Sequence, residues 1–273
     1  MRGYQVQFLE NAVGDKTNFR LFKVANIISA CAFLLVLTGR AEDFTNSLAE
    51  AALAEKQGDL QAVLIQYGNA EKLASNNAAN LCQLSRSYCE LTYLTNSPAV
   101  QKSLLQAALT CAIRAVKADP RNAAAHASVA VCYAKSCPLY DIKTQLVYAR
   151  LFKTEAERAI ALDHRQDIAY YLLGRWNYSM ANVGLLSRTY AKIVYGGLPP
   201  ASNEAAIKNF QAASRLAPDR IINYQGLALA YEATGRKNLE VAALKKCCAM
   251  KPVDREDAIA QTEAKKKLLT IRP

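Results

Sequence analysis

The stretch Ala206–Arg236, AIKNFQAASRLAPDRIINYQGLALAYEATGR, reads as two helices joined by a short turn. Ala206, Phe210 and Ala213 recur at the spacing of four and three that puts side chains on one helix face. Tyr224, Leu227, Ala228 and Tyr231 do the same beyond Pro218. Pro218 opens the turn between them, where its missing N–H costs nothing. The alternation of very small and bulky residues sets how the pair packs. Ala206, Ala213 and Ala228 let two antiparallel backbones approach closely, and Phe210, Tyr224, Leu227 and Tyr231 fill the space between them.

The same grammar recurs along the chain. Ala108, Ala112, Ala115 and Pro120 lead to His126, Val129, Ala130 and Tyr133, and Phe152, Ala156 and Ala159 lead past Asp163 to Tyr170, Leu173, Gly174 and Asn177. Upstream, Val63, Tyr67 and Ala70 lead to Leu81, Leu84, Ser85 and Tyr88. This is the tetratricopeptide (TPR) pattern, and the step from Pro218 to Pro252 equals its usual period of 34. The earlier intervals are longer because the helices after Ser97 and Tyr140 are overlong. The segment GLLSRTYAKIVYGGLPPAS (184–202) is expected to extend a first helix before its Pro-Pro break. The expected fold is all-α: a TPR-like superhelix of antiparallel helix hairpins over residues 42–273, closed by REDAIAQTEAKKKLL (255–269) as a capping helix with a polar outer face. Composition agrees, with hydrophobic residues at 52%, only 11 glycines and 8 prolines, and a richness in Ala and Leu that favours helix.

Residues 1–41 differ from the rest. Arg20 and Lys23 precede a charge-free run, Val24–Thr38, and the small residues Gly39 and Ala41 precede a cut after Ala41. That layout predicts a signal peptide, or a signal anchor if it is not cleaved. The run of 15 residues is short for a membrane span. The expected location is therefore exported, periplasmic or extracellular, with a tether through residues 24–38 as the alternative.

Chemistry is sparse. The 8 cysteines match neither a CxxC pair nor a zinc spacing, and most are expected to act as small buried apolar side chains. The only two histidines are His126, at a packing position, and His164, at a turn, with no HExxH, GxSxG or glycine-rich phosphate loop. No enzyme, cofactor or metal site is expected. The formal charge of +11 lacks the aromatic interleaving of a nucleic-acid surface and reads as a solvated face, or as a patch toward an acidic partner or anionic lipid. The first helix of each hairpin should line a concave groove. The phase of the repeats puts Arg86, then Tyr171, Arg175 and Tyr178, then Gln225 along it, among small and apolar side chains. Such a groove suits a protein or peptide partner or, alternatively, a phospholipid with its anionic head near Arg86 or Arg175. The chain's own terminal helix is the other candidate to fill it. Trp176, the single tryptophan, is expected to anchor packing beneath the extended 184–194 helix.

Leu173, Gly174, Arg175, Trp176, Pro199, Pro200, Ser202, Phe210, Ala213, Pro218 and Asp257 carry a further likeness. Across roughly 167–269, and more loosely from about residue 45, the sequence resembles the C-terminal TPR-like domain of the regulator of microtubule dynamics proteins. The resemblance implies a non-enzymatic helical scaffold, membrane-anchored at its N-terminus in animal members, one of which tethers organelles and binds phospholipid. The export-type N-terminus departs from that setting and points to a bacterial relative, to which the microtubule and organelle roles do not transfer.

Overall fold

The computed structural model describes residues 41–195 and 197–271. The expected signal or anchor at 1–41, and the 24–38 run with it, lie outside the described residues except for Ala41. The chain divides into two compact units, residues 1–75 and 76–273. Among the described residues every regular element is helical, so the fold is all-α and TPR-like.

In the first unit, helix α1 covers 41–56 and α2 covers Leu60–Ala74. Gly58 joins them with φ +76°, a conformation that a residue with a Cβ rarely adopts, and the Asp59 side chain accepts from the Ala62 amide at 2.9 Å to start α2. The side chains of Phe44, Ala51 and Ala54 in α1, and of Val63, Tyr67 and Ala70 in α2, are buried. They recur at helical spacing, as a helix with one apolar face requires.

The second unit contains α3 (Ala78–Leu91), a 3₁₀ turn at Thr92–Leu94, α4 (Pro98–Ala118), α5 (Ala123–Ser136), a 3₁₀ turn at Cys137–Leu139, and α6 (Ile142–Leu162). It continues with α7 (Asp167–Ala181), α8 (Leu185–Tyr195), α9 (Asn203–Leu216), α10 (Ile221–Ala233), α11 (Lys237–Ala249) and α12 (Arg255–Thr270). Hairpins form between α3 and α4, α5 and α6, α7 and α9, and α10 and α11, with α12 packed on α10 and α11. Successive first helices also touch, α3 with α5, α5 with α7 and α7 with α10, which stacks one hairpin on the next.

Local sequence explains most helix starts. Asn77, Ser97, Asn122, Asp141, Ser202 and Asp254 each accept a hydrogen bond from the amide three residues on, satisfying a donor the helix cannot. Helix α10 lacks such a residue and borrows its cap from far along the chain. Asp257 is fully buried, and its Oδ1 accepts from the Ile222 amide at 3.1 Å while Oδ2 accepts from the Val253 amide at 3.4 Å. Arg220 Nε stands 3.5 Å from the same carboxylate and Nη2 lies 2.8 Å from Asp254. The capping helix is thus fastened by a buried charge that serves two helix starts.

The overlong helices are α4 and α6, each of 21 residues. One expectation needs correcting. The 184–195 segment does not extend α7, which ends at Ala181; α8 is a separate helix inserted between the partners α7 and α9. Asn182, whose side-chain amide donates to the Tyr178 carbonyl at 2.7 Å and to Asn203 Oδ1 at 2.7 Å, ties off the end of α7 before the chain turns at Gly184. Trp176 is 2% exposed and faces a crevice shared with Leu146, Ala149, Ala191 of α8 and Pro199, so it packs where expected. At the centre of the core the Phe210 ring lies against Gly174 and Gly226, where an added Cβ would stand 2.6 and 2.4 Å from it.

Candidate functional site

A cavity of about 810 Å³ opens between α5, α6 and α7. Its lining is largely apolar: Val131 and Ala134 from α5, Leu146, Ala149 and Phe152 from α6, Ile168, Leu172 and Met180 from α7. The polar groups gather at one side. Tyr171 and Arg175, one turn apart on α7, face it together with Lys135 of α5, Tyr93 of the first 3₁₀ turn and Glu256 at the start of α12. This is the apolar enclosure with a few convergent polar groups that typifies a binding site.

Arg175 is the reach of that polar side. Its Nη1 donates to the Tyr171 hydroxyl at 3.1 Å, and its guanidinium carbon lies 6.0 Å from the centre of the Tyr171 ring. The side chain is open to solvent yet stands deep among surrounding protein, because it projects from α7 into the concavity. Tyr171 beside it holds the guanidinium in its charged form against the opposing effect of burial. Burial in turn pushes the Tyr171 hydroxyl up, so it stays protonated and free to act as an acceptor for Arg175.

Lys135 is the second cation. It donates to the Tyr93 hydroxyl and pairs with Glu256 at 3.6 Å. Burial disfavours its charge, but Glu256 and Tyr93 outweigh that cost and its net shift is upward. Burial also raises Glu90, whose field is shared with Lys135, Asp254, Glu256 and Arg220. The start of α12 therefore meets α3, α5 and α10 through charge, and of that set Lys135 and Glu256 line the cavity.

The structure distributes the expected groove residues unevenly. Tyr171 and Arg175 line the cavity together. Arg86 is exposed on α3 outside its lining. Tyr178 is half-buried, packed against the core around Trp176 and Phe210. Gln225 donates to Glu263 at 2.5 Å, so at the level of α10 the capping helix occupies the inner face, as Lys267 and Glu232 also indicate by pairing across the same helices. Lys135, Tyr93 and Glu256 were not anticipated. Each looks ordinary in sequence, and no spacing brings a lysine at 135 to a glutamate at 256. The histidines stand as expected: His126 is buried, with Nδ1 2.6 Å from Glu155 Oε2 and Nε2 3.1 Å from the Pro120 carbonyl, and His164 is exposed.

Comparison with known proteins accords with this architecture. A crystal structure of a thermophilic TPR protein from Thermus thermophilus superposes with a TM-score of 0.56 at 17% identity, covering 82% of this chain and 99% of that one, a likeness of fold. Regulator of microtubule dynamics protein 1 of Mus musculus is 27% identical over 248 residues, 89% of this chain and 78% of the relative. The Pongo abelii protein of the same name is 26% identical over 274 residues, 97% of this chain and 84% of the relative. Residues 47–272 match the family described as Regulator of microtubule dynamics protein 1-3. With all but the ends of the sequence accounted for, the chain belongs to that family.

Proposed function

We propose that the chain is a non-enzymatic scaffold that holds a protein partner by an extended peptide segment laid into the α5–α6–α7 cavity, with an acidic side chain of the peptide on Arg175. The observation that carries this reading is the placement of Arg175: a guanidinium with donors left over after Tyr171, facing a cavity lined mainly by apolar side chains. A carboxylate there gains a charge-assisted bond to the guanidinium, while Leu- or Phe-sized neighbours fill the apolar part. The test is fluorescence polarisation of the full chain with an array of labelled peptides carrying one Glu between apolar residues. Arg175→Glu is expected to weaken binding at least tenfold, and Arg86→Glu, outside the cavity, to leave it unchanged. Equal affinity in wild type and Arg175→Glu removes the cavity from the account.

An anionic phospholipid is the second reading, favoured by the same apolar lining, which suits an acyl chain with its head group at Arg175. Failure of the full chain to bind anionic liposomes at low salt eliminates it. The location is part of the proposal: residues 1–41 serve export as a cleaved signal, or residues 24–38 serve as a tether. Among the described residues no helix is long and apolar enough to cross a membrane, so this question rests on 1–41. N-terminal sequencing of the mature protein decides it, a start at Glu42 meaning cleavage and a start at Met1 a tether.

A further inference from the structure

We infer that Cys89 and Cys132 form an oxidative modification site, a disulfide that joins α3 to α5 when the chain meets a peroxide. The two sulfurs are 3.9 Å apart across packed helices, and Ser85 Oγ lies 3.4 Å from the Cys132 sulfur on the same side. A disulfide needs a separation of about 2.05 Å, so closing the bond asks the two sulfurs to approach by roughly 2 Å. Both thiols are free in this structure.

Their surroundings divide the labour. The hydrogen bond from Cys89 holds the Cys132 thiol below its ordinary range despite burial, with help from Ser85 and from Lys135 one turn along α5. Cys89, its partner in that contact, is held well above its own by the same contact and by burial. Ser85 Oγ, 3.4 Å from the Cys132 sulfur, can donate to its thiolate, which makes Cys132 the attacking sulfur and Cys89, 3.9 Å away, the resolving one. The Cys132 sulfur attacks one oxygen of hydrogen peroxide, the O–O bond breaks, and the departing oxygen leaves as water with the proton Cys132 gave up. The sulfenic acid left on Cys132 is attacked by the Cys89 sulfur, the S–O bond breaks, and the hydroxyl takes the Cys89 proton to leave as a second water. Two thiols lose two electrons and two protons, and one peroxide becomes two waters.

Access is restricted, since Cys89 is 1% and Cys132 0% exposed. Cys89 nevertheless lies in the last turn of α3, directly before the 3₁₀ turn at Thr92–Leu94, and helix ends open at the lowest cost. Peroxide, hardly larger than water, enters on such openings, which makes oxidation slower than at half-buried thiols. The linkage also has a place in the site. The turn after Cys89 supplies Thr92 and Tyr93 to the cavity, and α5 beside Cys132 supplies Val131 and Lys135, so the disulfide ties two of its walls together.

The experiment treats the full chain with hydrogen peroxide, blocks remaining thiols with N-ethylmaleimide and maps non-reduced peptides by mass spectrometry. The expected product is a peptide pair joined through Cys89 and Cys132, lighter by two hydrogens and released by dithiothreitol. The thermal midpoint should rise by several degrees on oxidation of wild type and Cys82→Ser, and not of Cys89→Ser or Cys132→Ser. A Cys82–Cys132 link in its place overturns the assignment, because Cys82 shares the α3 face. So do free Cys89 and Cys132 thiols after the half-buried Cys137 and Cys248 are fully oxidised. The wild-type map stands by itself if a serine variant fails to fold.

Discussion

The Phe210 ring lies so close to the backbone of Gly226 that a methyl group on that glycine would come within 2.4 Å of it. A methyl group on Gly174 would come within 2.6 Å of the same ring, so two helices, α7 and α10, approach α9 through the absence of a side chain. Gly226→Ala is therefore expected to cost about 1–3 kcal/mol in urea unfolding, the usual range for overpacking a filled core. Combining it with Phe210→Leu should give a double variant less destabilised than the two single losses sum to, because the smaller side chain admits the methyl. Strict additivity would show that the contact is not what excludes alanine.

Asp257 offers a sharper loss. Asp257→Ala removes the acceptor for the Ile222 and Val253 amides and leaves Arg220 without its inner partner. Arg220 keeps its pair with Asp254, so the loss is that of a buried and a part-buried amide left without an acceptor, about 1–3 kcal/mol each. Asp257→Asn, which keeps an oxygen for Ile222, should cost visibly less. Denaturant midpoints of the two variants make the comparison.

Glu90 should show the reverse sign. Burial raises its folded-state pKa above the ordinary 4.5, so its ionised form penalises the native state. That penalty is absent below the unfolded value, sets in as pH rises through it, and is complete above the folded value. Glu90→Gln is accordingly expected to raise the melting temperature at pH 7 and to lose that advantage as pH falls below 4.5. A gain that is constant across pH would point to packing instead.

Trp176 gives a direct optical readout. It is the single tryptophan and 2% exposed, so native emission should lie well to the blue of the free amino acid and resist acrylamide quenching. Emission should shift red in one step with loss of helical circular dichroism. A red native spectrum would contradict its burial beneath α8.

Much of the fold was legible because its signals are short-range. Ala206, Phe210 and Ala213 on one face of α9, and Leu227, Ala228 and Tyr231 on α10, act within one or two helical turns, where spacing translates directly into position. The inserted α8 was harder to foresee. Its sequence is helical on either reading, and what separates it from α7 is the Asn182 and Asn203 contact across 21 residues. Within the site, Tyr171 and Arg175 could be paired because they are one turn apart on a helix. Lys135, Tyr93 and Glu256 could not.

By itself the sequence determined the helices, their pairing into hairpins and the small residues at which they touch, since each depends on residues close along the chain. Only the tertiary structure decided that Glu256 meets Lys135, that Asp257 caps α10, that α12 takes Gln225, and that Cys89 faces Cys132. Those meetings depend on the rotation of each hairpin relative to the last. That rotation is set by the summed packing of many side chains, and no local period records it.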